Sequence, residues 1–361
     1  YILIVAFVST TQVTMEASRT ITTGVGKLGG ATASYNGQTT TTLAASLVAG
    51  NLVYHKASGQ TWSEAVSLTA AGGTNNSTII LEGYNATRGD FPVGANRPLN
   101  LNPPGGGVGI TVSGGGYWLR HLIVQGATGA GISFTTTSGG GGINVRATAN
   151  GAEGLKSTVS SISFYGCEAD LNTTVGVSVT GATVFYSYIH HNTTSGVLES
   201  AGGILIGNII AANTTNGVSI TTNDSQHIIL ENTINGNTVD GINMASGRVF
   251  GTNSIVANNI FANNGAYGMR RVSSTGTGNA PFFDYNDYFG NTPAPGRLNV
   301  PTGPHDVTLN PTFTSASDFS IGTPLQTQGW PGLFPGGTTT SYRNIGAVQG
   351  QGGRNVFNVF P

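Results

Sequence analysis

Residues 172–177 read NTTVGV, residues 192–197 read NTTSGV and residues 213–218 read NTTNGV. The phrase returns as NTVDGI at 237–242 and as NGAYGM at 264–269. Successive asparagines stand 20, 21, 24 and 27 residues apart. A unit of this length cannot bury its own apolar face, so its recurrence marks stacked repeats. The residues that follow each glycine, VSV, VLE, VSI, INM and MRR, read as short strands.

Aligning the chain on Asn172, Asn192, Asn213, Asn237, Asn264 and Asn291 exposes columns. Three positions earlier stand Ala169, Ile189, Ile210, Ile234, Phe261 and Tyr288. Five positions earlier stand Cys167, Ser187, Asn208, Asn232, Asn259 and Asn286. Residues two apart share one face of a strand, and the first column is apolar, so both columns face inward. The second then forms an asparagine ladder, its amides bonding from coil to coil to satisfy buried polar groups. The repeating asparagines are structural as well. They stand where the chain turns, and Asn tolerates left-handed backbone. The glycine four residues on is expected to permit the next bend. Val177, Val197, Val218, Ile242 and Met269 form a further inward column. One column, Val179, Glu199, Ile220, Met244 and Arg271, carries two charges, so either the register shifts there, which is the preferred reading, or Arg271 pairs internally with Glu199 two coils away.

These columns define an all-β fold, a single-stranded right-handed parallel β-helix with one coil per repeat. Leucine is too sparse for a leucine-rich horseshoe, and about 21 residues are too few for a four-stranded propeller blade. TTTTLAASLVAG at 39–50 reads as a capping helix with Thr at its start and Gly at its end. The expected organisation is an N-terminal apolar strand or extension over 1–20, an N-terminal cap and first coils over 21–105, regular coils over 106–291 and a loop-rich C-terminal cap over 292–361.

Charged residues make up 8% of the 361, far below the usual ~25%. Net charge is −1 and there are three lysines, so no basic stripe exists for nucleic acid. The single Cys167 excludes an intrachain disulfide and reads as a buried thiol. YILIVAFV at the start is too short to span a bilayer as a helix, and reads as a buried or intersubunit strand. Asn172, Asn192 and Asn213 satisfy the Asn-x-Thr glycosylation rule, but their spacing assigns them to the coil. Asn76 and Asn85 are the better glycan acceptors.

The order TTLAASL, IILEGYNATRGDFPVGANRPL, YWLRHLIVQG, the asparagine coils, LNPTFTSASDFSIGTPLQTQGWPG and NIGAVQ resembles the pectin-lyase-like right-handed parallel β-helix proteins. It is most similar to their extracellular and virion-surface, tailspike-like or fibre-like branch. The resemblance implies a fold shared by polysaccharide lyases, hydrolases, esterases, tailspike depolymerases and non-catalytic fibres. The Asn-x-Asp, Asp-Asp, Gly-His-Gly and Arg-x-Lys motifs of polygalacturonases do not occur in the chain.

Outward columns carry the candidate site. Glu168, Asp170, Tyr188 and His190 share an outer face on adjacent coils, and Tyr186 and Glu231 extend it. Carboxylates two residues apart on a strand are expected roughly 6–7 Å apart, near the lower end of the inverting-glycosidase range of about 6.5–9.5 Å. Glu168 and Asp170 would then be catalytic, His190 a proton shuttle, and Tyr186, Tyr188 and Glu231 sugar-binding. The plain alternative is a set of solvated charges with an Asp170–His190 pair. No metal site is expected among these residues. Asp284 and Asp287 in DYNDYF are the candidates for Ca2+, against a role in turn chemistry. The leading expectation is a non-catalytic extracellular or virion-surface structural protein with glycan binding on a lateral face. The alternatives are a polysaccharide-degrading lyase or glycoside hydrolase, and a filament subunit joined by N-terminal strand addition. A homo-oligomer or polymer is the expected assembly.

Overall fold

The computed structural model describes residues 47–57, 65–69, 78–101, 107–135, 139–222, 225–248, 250–251, 253–272, 281–294, 296–333, 340–342 and 344–348, with the strands Ile4–Ser9, Gln12–Met15 and Ala33–Ser34. Each regular coil contributes three short strands. One coil runs through Ile162–Tyr165, Glu168–Asp170 and Val177–Val179. The next runs through Thr183–Phe185, Tyr188–His190 and Val197–Glu199. Every strand pairs in parallel with its counterpart one coil away. Stacking generates a first, second and third sheet of 11, 9 and 10 strands. The expected all-β parallel solenoid is the observed fold.

The inward columns lie where the spacing predicts. Ala169, Ile189, Ile210, Ile234 and Phe261 are fully buried, as are Val177, Val197, Val218, Ile242 and Met269. Strands of three residues expose their middle residue on one side and their ends on the other. The second sheet therefore buries its middle residues, and the third sheet buries its ends.

Two asparagine ladders run through this interior. In one, Asn208 Nδ2 donates to Asn232 Oδ1 at 2.9 Å, Asn232 to Asn259 at 3.0 Å and Asn259 to Asn286 at 3.0 Å. Asn286 in turn donates to a carboxylate, Asp306 Oδ1, at 3.4 Å. In the other, Asn150, Asn172, Asn192, Asn213, Asn237, Asn264 and Asn291 are linked in sequence by the same Nδ2-to-Oδ1 bond, at 2.9–3.0 Å. The Nδ2 atoms of Asn172, Asn192 and Asn213, where a glycan would attach, are spent on these bonds. Asn85 is half-buried, its N–H held by Asp90, and Asn76 lies outside the described residues.

The corner itself differs from the expectation. The left-handed residue is the one before each ladder asparagine: Leu171 (φ 55), His191 (φ 53), Ala212 (φ 52) and Asn263 (φ 53). Turning the chain there brings the next Asn inside, where its N–H also donates along the ladder. The glycine four residues on does not need positive φ. It needs to be small. A Cβ on Gly176 would lie 2.6 Å from Asn192 Nδ2 and 2.8 Å from the Gly196 carbonyl oxygen. Gly176→Ala is expected to cost about 1–3 kcal/mol through overpacking. A urea midpoint unchanged from wild type would show that the coil spacing relaxes freely.

No register shift accompanies the two charges in the third-sheet column. Pairing runs unbroken from Val179 through Glu199, Ile220 and Met244 to Arg271. Glu199 is fully buried and stays in register because His227 Nδ1 approaches its Oε2 at 2.6 Å. Pairing of the charge inside the coil replaces slippage as the solution.

The ends are less regular. Ile4–Ser9 pairs antiparallel with Gln12–Met15, so the expected N-terminal strand is one arm of a hairpin. Residues 39–46 of the expected capping helix lie outside the described residues. Leu47, just after them, joins the core.

Two segments cover the outer face of the second sheet. From the N-terminal side, residues 85–98 settle on the corner, with Pro92 O accepting from Asn144 Nδ2 at 2.8 Å and Phe91 edge-on to His121. From the C-terminal side, residues 307–333 and 344–348 fold back as a strap. Gly346 N–H donates to Asn258 O and Ala347 N–H to Thr233 Oγ1. Phe319 and Ala347 pack on Ile209 and Ala211, while Leu325 and Ile345 pack on Ile260. Between them lie Ile123–Gln125, Arg146–Thr148, Glu168–Asp170 and Tyr188–His190, with Tyr188 edge-on to Phe319 of the strap.

Candidate functional site

Glu168 and Asp170 are the two ends of one second-sheet strand, so both point outward from the coil interior, and both are buried by their neighbours. Parallel pairing places Arg146 and Thr148 beside them on one side and Tyr188 and His190 on the other. Arg146 grips Asp170 with two parallel bonds, Nε to Oδ1 at 2.9 Å and Nη2 to Oδ2 at 2.8 Å. The Thr148 hydroxyl donates to Asp170 Oδ2 at 3.0 Å. Arg97, only 1% exposed, reaches in from residues 85–98 and donates from Nη2 to Glu168 Oε2 at 3.1 Å. Arg146 Nε and His190 Nε2 each stand 3.5 Å from Glu168 Oε1. The His190 ring stacks on Tyr188 with centroids 3.8 Å apart, and its Nδ1 meets His191 Nδ1 at 2.8 Å.

Burial alone would raise the Glu168 carboxyl. His190 and the guanidinium charges of Arg146 and Arg97 outweigh it and hold the group below its ordinary value. Burial, reinforced by Glu168 and Asp170, pushes the Tyr188 phenol up to about 12. Burial lowers the Arg97 guanidinium although Glu168 opposes it. The hydrogen bond to Asp170 raises Arg146.

This geometry corrects the carboxylate expectation. A Glu168 oxygen, an Asp170 oxygen and a His190 nitrogen lie within 4.8 Å of one another, closer than the separation an inverting glycosidase uses to seat a water. Glu168 is held ionised, which removes it as a proton donor at neutral pH. The plain Asp170–His190 pair is also not what forms: Asp170 pairs with Arg146, and His190 faces Glu168. The same trio does not suit a cation, since both carboxylates already hold guanidinium groups. Asp284 and Asp287 do not converge on one either. Asp284 is bound by His305 through Oδ1 and Oδ2, and Asp287 is buried beneath the strap, accepting from Leu309 N–H.

Tyr186 and Glu231 stand apart from the cluster. Both occupy the corner between first and second sheets, with φ of 48 and 57. The Tyr186 ring lies against Gly207 and packs edge-on with Tyr165, centroids 5.5 Å apart. It turns toward the first sheet, away from Glu168.

Beside the cluster a cleft of about 420 Å³ is lined by Arg97, Ile123, Gln125, Arg146, Thr148, Ala149 and Leu171. Leu171 is 57% exposed at its rim. Arg146 joins cleft and cluster. It was within reach of the sequence pattern: NVRATAN ends on Asn150, one coil before Asn172, and Arg146 falls in the column of Glu168 and Tyr188. Arg97 carries no such signal, because its loop has no repeat to align.

Among solved structures, the chain resembles pectate lyase Pel9A, with a TM-score of 0.50 and 12% identity over 85% of this chain and 90% of that one. An alginate lyase from Paenibacillus sp. str. FPU-7 aligns with a TM-score of 0.47 and 15% identity, over 75% of this chain and 99% of that one. No protein-family model matches the sequence, and no curated protein matches it. The fold is that of the right-handed parallel β-helix proteins, as the repeat spacing predicts.

Proposed function

We propose that the protein is an extracellular β-helix that binds a polysaccharide on its lateral face, in the cleft beside Arg146. The observation that carries this reading is the placement of the ion network. In a chain with 8% charged residues, Arg97, Arg146, Glu168, Asp170 and His190 gather on the second sheet between the strap and residues 85–98, beside a cleft that Arg97 and Arg146 line. Guanidinium, amide and hydroxyl groups at fixed positions suit the hydroxyl and carboxylate groups of a sugar chain. The shared fold with a pectate lyase supports the ligand class and assigns no residue. No described helix is long and apolar enough to cross a membrane. An extracellular or virion-surface setting agrees with the low charge and the regular coils.

A polysaccharide-degrading enzyme is the second reading. His190 favours it: Nε2 is buried and makes no hydrogen bond, only the 3.5 Å approach to Glu168, and the Tyr188 phenol beneath the ring stays protonated. That pair could exchange a proton with a bound sugar.

Affinity electrophoresis against acidic and neutral polysaccharides tests both. Wild type is expected to be retarded by at least one of them. Arg146→Met is expected to weaken retention roughly 10–100-fold, the worth of a charge-assisted hydrogen bond. Gln125→Ala and Leu171→Ala, which leave the ion network intact, should weaken it by smaller factors. No retention on any polysaccharide would reject the proposal. Release of oligosaccharide by wild type, lost in His190→Gln while retention persists, would establish the enzyme instead.

A further inference from the structure

The outer face of the first sheet carries a run of partly exposed apolar residues. Phe185, Ile206 and Leu230 stack in one column, and Ile204, Ile228 and Ile255 stack in the neighbouring one. All six remain partly exposed. Tyr165 at one end is 40% exposed and Phe282 at the other 45%. No charged residue interrupts these columns. The Arg120–Glu82 pair bounds the face on one side and the His305–Asp284 pair on the other. Six strands stacked at about 4.8 Å make it roughly 24 Å long, and three-residue strands make it about 10 Å wide. A continuous apolar patch of this kind marks an interaction site.

We propose that this face receives the Ile4–Met15 hairpin of a second copy of the chain. Three observations choose that occupant. The hairpin, IVAFVSTTQVTM from residue 4 to residue 15, contains no charged residue and matches an uncharged face. Its longer arm has six residues, about 20 Å when extended, and two paired arms are about 10 Å wide with their side chains. Laid along the solenoid axis, it covers the face by orthogonal sheet packing. An isolated two-stranded hairpin is marginal in water and needs such a partner. Among the described residues nothing covers the columns from Phe185 to Ile255, and the hairpin of another copy would. The two arms already pair with each other. The contact is thus face to face, in place of the strand addition expected from the sequence. It is heterologous, hairpin to face, and builds a ring or an open filament. It is independent of the polysaccharide reading.

Sedimentation velocity of the full chain tests it. Wild type is expected to self-associate. Phe7→Glu in the hairpin and Ile206→Glu on the face should each weaken association roughly 30-fold or more. Ile228→Glu repeats the second test at a neighbouring position, and circular dichroism checks that each variant keeps its β-structure. The Phe7→Glu chain keeps an intact face, and the Ile206→Glu chain keeps an intact hairpin. Mixing them should restore a discrete one-to-one complex. A monomeric wild type, association that survives either substitution, or failure of the folded mixture to associate would overturn the proposal. Stronger association in Phe7→Glu would show instead that the hairpin covers its own face.

Discussion

Asn232→Ala is expected to destabilise the coil stack by about 3–5 kcal/mol, read as a lowered urea midpoint. Asn232 Oδ1 accepts from both the N–H and the Nδ2 of Asn208, at 2.9 Å each. Its Nδ2 donates to Leu205 O, Leu230 O and Asn259 Oδ1 at 2.9–3.0 Å. The residue is fully buried, so no water replaces what the side chain supplied. Truncation strips the acceptor from two buried donors of Asn208 at once, and each unsatisfied group costs about 1–3 kcal/mol. Asn232→Asp separates geometry from hydrogen bonding. The shape is kept, but a carboxylate would face the Asn259 oxygen. It should be at least as damaging as alanine at neutral pH. A midpoint within error of wild type for both variants would show the ladder to be energetically idle.

Asp287→Asn is expected to stabilise the protein by roughly 3–5 kcal/mol near pH 8 and by little near pH 4. Asp287 is 0% exposed under the strap, and its Oδ2 has no hydrogen-bond partner. Burial pushes its carboxyl up to about 8, against the downward pull of the Leu309 and Tyr288 N–H groups. In the unfolded chain an aspartate ionises near pH 4. Between those limits the unfolded state has released the proton and the folded state still holds it. Stability therefore falls as pH rises through this window, by about 1.4 kcal/mol per unit. Above about pH 8 both states are ionised and the loss levels off. Asparagine keeps an oxygen for the Leu309 N–H and does not titrate. Urea midpoints of wild type and variant, compared at both pH values, isolate the effect. An equal difference at pH 4 and pH 8 would mean that Asp287 is ionised in the folded protein.

The interior was legible because two periods coincide there. Alternation along each strand separated inward from outward residues, and the coil repeat aligned them across strands. Ala169, Ile189 and Ile210 could be placed inside on that ground alone. The left-handed corner was not legible, since Leu171, His191, Ala212 and Asn263 share no chemistry that an alignment would reveal. Glycine was recognised as a requirement, but for the wrong reason: the crowding at Gly176 comes from the adjacent coil and leaves no trace in local spacing. Of the site, the strand residues Glu168, Asp170, Tyr188 and His190 were legible as one face. Their partners were harder to find. Arg146 needed the alignment carried one coil further, and Arg97 arrives from 71 residues before Glu168 in an aperiodic loop. The strap is aperiodic as well, so what it covers follows only from three-dimensional contacts.

The ladder that ends on Asp306 also gives the molecule an electrical direction. Every linking amide hands its proton the same way, toward the C-terminal coil, from Asn208 through Asn232 and Asn259 to Asn286. Side-chain amide dipoles aligned in this manner add along the axis. Their positive end emerges at Asn286, and there the chain supplies an anion: Asp306 receives both the Asn286 N–H and its Nδ2. The solenoid is consequently a polar rod whose two ends are not interchangeable. A coil spliced into its middle can inherit the current of donors unbroken. A coil added beyond Asn286 must first displace the carboxylate that terminates it.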